Sequence, residues 1–235
     1  MIRLKERLIN LIYPRRCPMC DLILGKEEKY ICTACAAQVE FVRGAYCMKC
    51  GKPVLEEQEY CRDCLVRPHR FDCGRVLFVY EGALKKLIYR FKYAGRKEYA
   101  ESYAYFAQQE LGGFVRRIEP DALVPVPLHR RRFCKRGYNQ AELFAVALGK
   151  RMGIPVERKL VQRTRNTLPQ KELDSSARQN NLKKAFKLCG NDVKLNTIII
   201  IDDIYTTGST IDAVAEQFRR AGVQKIYFLA ISGGK

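Results

Sequence analysis

In the C-terminal two-thirds of the chain, short unbroken runs of apolar residues alternate with segments in which apolar residues recur at helical spacing. The clearest run is residues 198–201, four consecutive isoleucines, which predicts a strand buried on both faces of a parallel sheet. The same patterns predict strands at 76–80, 122–126, around 156–161, 197–201 and 225–231, and helices at 84–93, 97–118, 140–152 and 211–221. Strands that alternate with helices indicate parallel βαβ units, so we expect an α/β fold.

Two acids and a hydroxyl-rich turn follow the isoleucine run. Asp202 and Asp203 stand where the strand should end, and the turn consists of Thr206, Thr207, Gly208, Ser209 and Thr210. Ligands of open α/β sheets bind beyond the carboxyl ends of the strands, and the free N–H groups of a helix N-terminus suit a phosphate. We therefore expect the turn to bind a phosphate and the acids to accept hydrogen bonds from ribose hydroxyls. The plain alternative is a strand–turn–helix unit whose acids merely cap the helix.

This stretch resembles the phosphoribosyl pyrophosphate (PRPP) binding signature of type I phosphoribosyltransferases. The resemblance implies a parallel sheet flanked by helices, a site that binds PRPP together with Mg²⁺, and central roles for Asp202 and Asp203.

Cysteines mark a separate N-terminal region. Eight of the 11 cysteines form C-x-x-C pairs with near-equal gaps: Cys17/Cys20, Cys32/Cys35, Cys47/Cys50 and Cys61/Cys64. Two such pairs supply the four thiolates of a structural zinc site, so eight thiolates predict two Zn²⁺ ions. A disulfide framework is the alternative, but it normally requires an oxidising compartment, and the sequence shows no secretory signal.

The assignment of the pairs to the two zinc ions has two solutions. Sequential pairing joins the first two pairs and the last two, as in a double zinc ribbon, and the near-equal gaps favour it. Cross-brace pairing joins the first pair with the third and the second with the fourth. Cys73, Cys134 and Cys189 have no partner spacing and receive no chemical role.

At 235 residues, the chain is long enough for a small metal-stabilised module, predicted at 1–72, and one α/β domain at 73–235. Residues 1–16 carry interrupted apolar positions among basic residues, which favours a short amphipathic helix docked on the zinc module over attachment to a membrane surface. With no transmembrane or targeting segment apparent and reduced thiols implied, we expect a cytoplasmic protein.

Two polar stretches follow predicted strands. The first is a basic loop after residue 127, with Arg130, Arg131 and Arg132 suited to the pyrophosphate group of PRPP by charge-assisted contacts. The second runs from 163 to 186, and its length predicts a lid over the site that uses Arg163, Thr167 and Gln170. A disordered surface excursion is the alternative for this second stretch.

The order of these features is similar to that of the ComF family, which combines a double zinc ribbon with a phosphoribosyltransferase-like domain. Besides the cysteine pairs and the 202–210 signature, the resemblance rests on residues 91–96, 125–128 and 137–141, and on Arg163, Thr167 and Gln170. It implies a role in DNA uptake during natural transformation, alongside competence or DNA-processing proteins.

Charge adds an independent indication. The chain carries a net charge of +18, of which residues 1–76 contribute +4 and the remaining residues +14. This excess exceeds what one PRPP molecule requires and is typical of proteins that attract nucleic acid. Residues 89–93 interleave aromatic and basic side chains, as single-stranded DNA binders do, although a helix would point them in different directions.

Two functions are therefore compatible with the sequence. One is a phosphoribosyltransferase of unidentified acceptor that uses PRPP and Mg²⁺, together with contact to single-stranded DNA. The other is a catalytically inactive nucleic-acid-binding adaptor that retains the PRPP fold.

Overall fold

The computed structural model of the protein describes residues 14–164, 185–190 and 193–234. The strands are β1 (Cys73–Val79), β2 (Ala122–Pro125), β3 (Val161–Arg163), β4 (Phe186–Leu188), β5 (Thr197–Tyr205) and β6 (Lys225–Gly233). The helices are α1 (Thr33–Ala36), α2 (Arg62–Val66), α3 (Gly82–Tyr93), α4 (Tyr99–Ile118), α5 (Arg130–Arg136), α6 (Gln140–Met152) and α7 (Ser209–Arg220). The predicted N-terminal amphipathic helix lies almost entirely outside these residues.

The central sheet has the strand order β1-β6-β5-β2, and every neighbouring pair is parallel. Helices cover both faces, which confirms the predicted α/β class. The isoleucine run lies inside β5, and its four side chains have no solvent exposure. A strand buried on both faces must pair its backbone with neighbours on both sides, and β5 does so with β2 and β6.

Successive β5 side chains enter two different core layers. Ile199 and Ile201 pack in the layer under α3, α4 and α6, whereas Ile198 and Ile200 pack in the layer under α7. The two halves of the cysteine-rich region divide in the same way. Met19 belongs to the first layer and Phe71, which follows the last cysteine pair, to the second. The N-terminal region therefore contributes to the core on both faces of the sheet.

Polar contacts also fix the first half of the cysteine-rich region to α3. Arg90 donates to the Met19 carbonyl at 2.7 Å, and Arg96 forms an ion pair with Asp21 at 2.5 Å. Tyr99 donates to the same Asp21 carboxylate at 2.7 Å. The end of α3, the connection after it and the start of α4 thus all contact the first half of the cysteine-rich region.

The predicted strand around 156–161 differs from the observed one. Val156 makes an isolated parallel bridge to Leu123, and the strand proper begins at Val161 and pairs antiparallel with Phe186–Leu188. Arg163 and Phe186, the two ends of the predicted lid, are therefore opposite each other in this antiparallel pair of strands. Thr167 and Gln170 lie outside the described residues.

Within the part of the chain that the structure describes, no helix combines the length and the apolar character needed to cross a membrane.

Two glycines provide a test of the packing. A Cβ on Gly74 in β1 would lie 2.1 Å from the Phe228 ring, whereas a Cβ on Gly113 in α4 would meet nothing within 4 Å. Gly74→Ala should lower the free energy of unfolding by about 2–3 kcal/mol through overpacking, and Gly113→Ala should raise it by about 0.5–1 kcal/mol through helix propensity. Chemical denaturation measures both. Equal stability of the two variants would contradict the β1–β6 packing.

Candidate functional site

A cavity of about 590 Å³ opens between the carboxyl ends of β2 and β5. Helix α6, which follows β2 and the short helix α5, packs in one core layer, and α7, the helix after β5, packs in the other. The two connections therefore diverge at this point, which is where open α/β sheets place their ligand sites. Asp202, Asp203, Thr206, Gly208 and Thr210 line the cavity.

The two acids have different surroundings. One Asp202 oxygen accepts the Asp203 backbone N–H at 2.8 Å, and the Asp203 carboxylate forms an ion pair with Lys92 at 3.0 Å. Burial, followed by repulsion from Asp203, raises the pKa of Asp202 to about 7. Close to neutral pH the pair can thus both accept and donate hydrogen bonds, which suits the vicinal hydroxyls of a ribose.

Cations surround the rest of the cavity: Lys92, Arg132, Lys135, Arg136 and Arg163. Arg163 reaches it from β3. Burial, followed by repulsion from Arg132, lowers the pKa of Arg163 to about 10. Two guanidinium groups that repel each other in an enclosed space would both be stabilised by an anion bound between them. The cavity is therefore suited to a ligand with several negative charges.

The predicted phosphate turn contains a glycine in the left-handed region. Gly208 has φ of 78° and precedes the first residue of α7, and a Cβ there would collide with neighbouring side chains. The hydroxyls of Thr207 and Ser209 lie 2.9 Å apart and share a hydrogen bond, and neither residue lines the cavity. Thr206 and Thr210 are the hydroxyl side chains of the turn that do.

The basic stretch after β2 is a helix and not the loop that we predicted. His129 caps it by accepting the Arg131 N–H at 3.3 Å, and Gly137, with φ of 77°, ends it. Arg132 lines the cavity, whereas Arg130 and Arg131 are exposed and lie outside the lining. Lys135 and Arg136, one turn further along, line it as well.

The segment 137–141 has a structural role that the sequence did not reveal. Tyr138 donates to the Phe91 carbonyl at 2.6 Å, and Asn139 donates to the Val126 carbonyl at 3.0 Å while its own oxygen accepts the Ala141 N–H. These bonds tie the start of α6 to the end of α3 and to the connection after β2. They fix two walls of the cavity relative to each other.

The eight paired cysteines form two clusters. Cys17, Cys20, Cys32 and Cys35 make up one, and Cys47, Cys50, Cys61 and Cys64 the other; within each, all sulfur atoms lie within 4.8 Å of one another. Sulfur–sulfur distances of 3.8 Å (Cys20–Cys32) and 3.6 Å (Cys50–Cys61) match the edge of about 3.8 Å of a tetrahedron with zinc–sulfur bonds of about 2.3 Å. The donor sets fit structural Zn²⁺, and the favoured sequential pairing is confirmed.

Two tyrosines on α3 form an exposed platform next to the cavity. Tyr89 and Tyr93 are 63% and 50% exposed, and their ring centroids lie 4.9 Å apart. Arg136 lies over the Tyr93 ring at 4.8 Å and donates to its hydroxyl. Phe91, in contrast, is fully buried, so the interleaved stretch 89–93 places its aromatic side chains in two environments.

Comparison with known proteins identifies the family. The sequence model of the double zinc ribbon domain matches residues 8–65. The chain is 31% identical over 216 residues to Competence protein F of Haemophilus influenzae, covering 90% of this chain and 93% of that protein. The chain belongs to the family of Competence protein F. The DNA utilization protein YhgH of Salmonella typhimurium is 32% identical, with 92% and 96% of the two chains covered, and Competence protein ComFC of Bacillus subtilis is 29% identical, with 83% and 80% covered.

Among solved structures, purine phosphoribosyltransferase from Pyrococcus horikoshii is similar over 56% of this chain and 73% of that one, with 19% identity and a TM-score of 0.34. A likeness at this identity and TM-score carries no argument about activity. The fold of this family member is therefore assigned from its strand order, and the candidate site from its geometry.

The raised pKa of Asp202 predicts a pH-dependent effect of substitution. The folded protein holds this proton up to about pH 7, whereas the unfolded chain releases it near pH 4. The charged form therefore lowers stability increasingly from pH 4 to pH 7. Asp202→Asn should add about 2 kcal/mol to the free energy of unfolding at pH 8 and about a quarter of that at pH 4.5. Urea denaturation at both values measures it.

Asp203→Asn is the comparison variant for this measurement: it removes both the repulsion on Asp202 and the partner of Lys92, two opposing effects, so its gain at pH 8 should be smaller than that of Asp202→Asn. A pH-independent effect of Asp202→Asn would contradict the proposed enclosure of the Asp202 carboxylate.

Proposed function

We propose that the cavity binds PRPP together with Mg²⁺ and that the protein acts on or through this ligand in DNA uptake during natural transformation. The observation that carries the proposal is the arrangement of charge: an acidic pair and a phosphate turn on one wall, and five cations on the others, in one cavity at the divergence of β2 and β5. The printed names of the relatives, competence and DNA utilization proteins, support the biological context.

The chemistry of each wall fits a different part of PRPP. The turn Thr206–Thr210 at the start of α7 offers backbone N–H groups and hydroxyls to the 5′-phosphate. Asp202 and Asp203 face the ribose hydroxyls, and Arg132 and Arg163 approach the position of the pyrophosphate. The cavity volume, about 590 Å³, lies in the range of small-ligand sites. Mg²⁺ prefers oxygen ligands and phosphate-rich surroundings and supplies charge neutralisation when bound.

A phosphoribosyl transfer would break the bond between C1 of the ribose and the pyrophosphate oxygen, while an acceptor atom forms the new bond to C1. Positive charge develops on the ribose and negative charge on the leaving pyrophosphate. The carboxylates of Asp202 and Asp203 hold and stabilise the ribose, and the guanidinium groups of Arg132 and Arg163 stabilise the leaving group. This division of roles needs no protein nucleophile, because positioning and electrostatics lower the barrier.

The acidic pair provides the first test. Asp202→Asn with Asp203→Asn should abolish Mg²⁺-dependent PRPP binding in isothermal titration, because the ribose hydroxyls lose both charged carboxylate acceptors, and should leave binding of single-stranded DNA within about twofold. Wild-type protein that binds PRPP equally well with and without Mg²⁺, or a double variant that retains PRPP binding, would contradict the proposal.

Neighbouring arginines of α5 supply a matched pair for the pyrophosphate. Arg132→Gln should weaken PRPP binding by about tenfold or more, as expected for loss of a charge-assisted contact in an enclosed site. Arg131→Gln removes the same charge from an exposed position outside the cavity and should change the affinity by less than about twofold. Equal losses would indicate that long-range charge, and not contact, attracts the ligand.

We further propose that single-stranded DNA binds at the mouth of this cavity. Lys85, Tyr89 and Tyr93 are exposed and follow one another at four-residue intervals along α3, so they share one face of the helix. Tyr93 and Arg136 line the cavity as well, which makes the platform continuous with the site. Aromatic faces for base stacking beside cations for phosphates are the combination used by single-strand binders.

Stacking and charge can be separated experimentally. Tyr89→Ala and Tyr93→Ala should each weaken binding of a single-stranded oligonucleotide by about tenfold without changing its salt dependence, because a stacked base contributes about 1–3 kcal/mol. Lys85→Gln should instead reduce the slope of log affinity against log salt by about 0.7. Fluorescence anisotropy over a salt series measures both, and Tyr60→Ala, at an exposed tyrosine in the second cysteine cluster region, is the control.

The inactive adaptor remains the second candidate, since a fold does not fix its chemistry. Release of pyrophosphate from PRPP in the presence of single-stranded DNA or nucleobases would favour the enzyme. PRPP binding without release would favour an adaptor that senses PRPP.

A further inference from the structure

The segment that follows the second cysteine cluster holds the start of α7 from outside the cavity. His69 Nδ1 lies 2.8 Å from one carboxylate oxygen of Asp212, and the Arg70 backbone N–H donates to the other oxygen at 2.7 Å. Asp212 lies in the first turn of α7, and its own backbone N–H bonds to the Gly208 carbonyl at 2.8 Å. Asp212 thus connects residues 69–70, through its carboxylate, to Gly208, through its backbone N–H.

The His69 ring is also packed directly against the turn. Its side chain is only 1% exposed and stacks on Phe71 with ring centroids 4.6 Å apart. A Cβ on Gly208 would lie 2.9 Å from the His69 Cε1 atom, so the ring and the Gly208 backbone are in close contact. The Nδ1 atom faces the carboxylate and carries the proton, and Nε2 has no hydrogen-bond partner among the described residues.

A second set of contacts joins the same segment to the far end of α7. Arg219 forms two hydrogen bonds with the Asp72 carboxylate, both at 2.8 Å, and donates to the Arg70 carbonyl at 3.2 Å. Residues 69–72 therefore lie along the whole helix, with His69 at the end beside the cavity and Asp72 at the other. This arrangement allows the effect of His69 on the turn to be distinguished from its effect on helix docking.

We propose that His69 is a positioning residue for the phosphate turn: through Asp212 and its contact with Gly208, it holds the N–H groups of Thr207–Ile211 in the geometry that binds the 5′-phosphate. Because a helix N-terminus binds a phosphate through several converging N–H groups, small displacements of the turn weaken all of these contacts together. The N-terminal cysteine-rich region thereby takes part in ligand binding without contacting the ligand. The inference rests on the proposed phosphate-binding role of this turn.

The test uses two variants of nearly equal shape. His69→Leu removes the donor to Asp212, and His69→Asn places an amide N–H close to the position of Nδ1. In the full-length zinc-loaded protein without ligand, amide hydrogen exchange of residues 207–211 should rise by at least about tenfold in His69→Leu and stay within about threefold of wild type in His69→Asn. The affinity for PRPP with Mg²⁺ should fall about tenfold in His69→Leu and recover in His69→Asn.

Arg219→Ala is the control, because it breaks contacts of the same segment at the opposite end of α7. Its faster exchange should be confined to that end, and its PRPP affinity should stay within about twofold of wild type. Unchanged exchange at 207–211 in His69→Leu, equal exchange in the Leu and Asn variants, or an equal rise at the turn in Arg219→Ala would each overturn the proposal. If wild-type protein binds no PRPP, the proposed function fails, while the exchange measurements still decide the role of His69.

Discussion

The burial of residues 197–201, the first part of β5, is the constraint on which the rest of the structure depends. A strand without a polar face needs hydrogen-bonding neighbours on both edges and apolar cover on both faces. Strands β2 and β6 provide the hydrogen-bonding neighbours. The helices, together with parts of the cysteine-rich region, provide the apolar cover. Polar groups can then appear only where the strand leaves the core. Asp202 and Asp203 occupy that end, so the location of the site follows from the demands of packing.

The cysteine-rich region is part of the core and not an appendage. Its first half is fixed to α3 through Met19 and to the start of α4 through Asp21, and its second half continues into the segment that runs along α7. Four thiolates around a metal give a short stretch of chain the rigidity that its few apolar residues cannot. That rigidity extends to α3 and α7, two helices whose ends line the cavity.

Features that depend on neighbours in sequence could be predicted, and features that depend on packing could not. The isoleucine strand, the acidic pair after it and the two cysteine clusters each follow from local pattern and spacing. Lys92 pairs with Asp203, and His69 with Asp212 across 143 positions, only because the fold brings them together. The basic stretch was expected to be a loop because it is polar and follows a predicted strand; its helix depends on the cap that His129 provides and on the stop at Gly137.

The pairing of β1 with β6 sets the order in which the molecule can be completed during synthesis. The cysteine clusters close within short stretches near the N-terminus and can bind metal early in translation. β1, which follows them directly, finds its hydrogen-bonding neighbour in the last strand of the chain. Until β6 has left the ribosome, the edge of β1 that pairs with β6 therefore has no strand partner. The pairing of β1 with β6 joins the first and the last of the described strands, and that step completes the sheet.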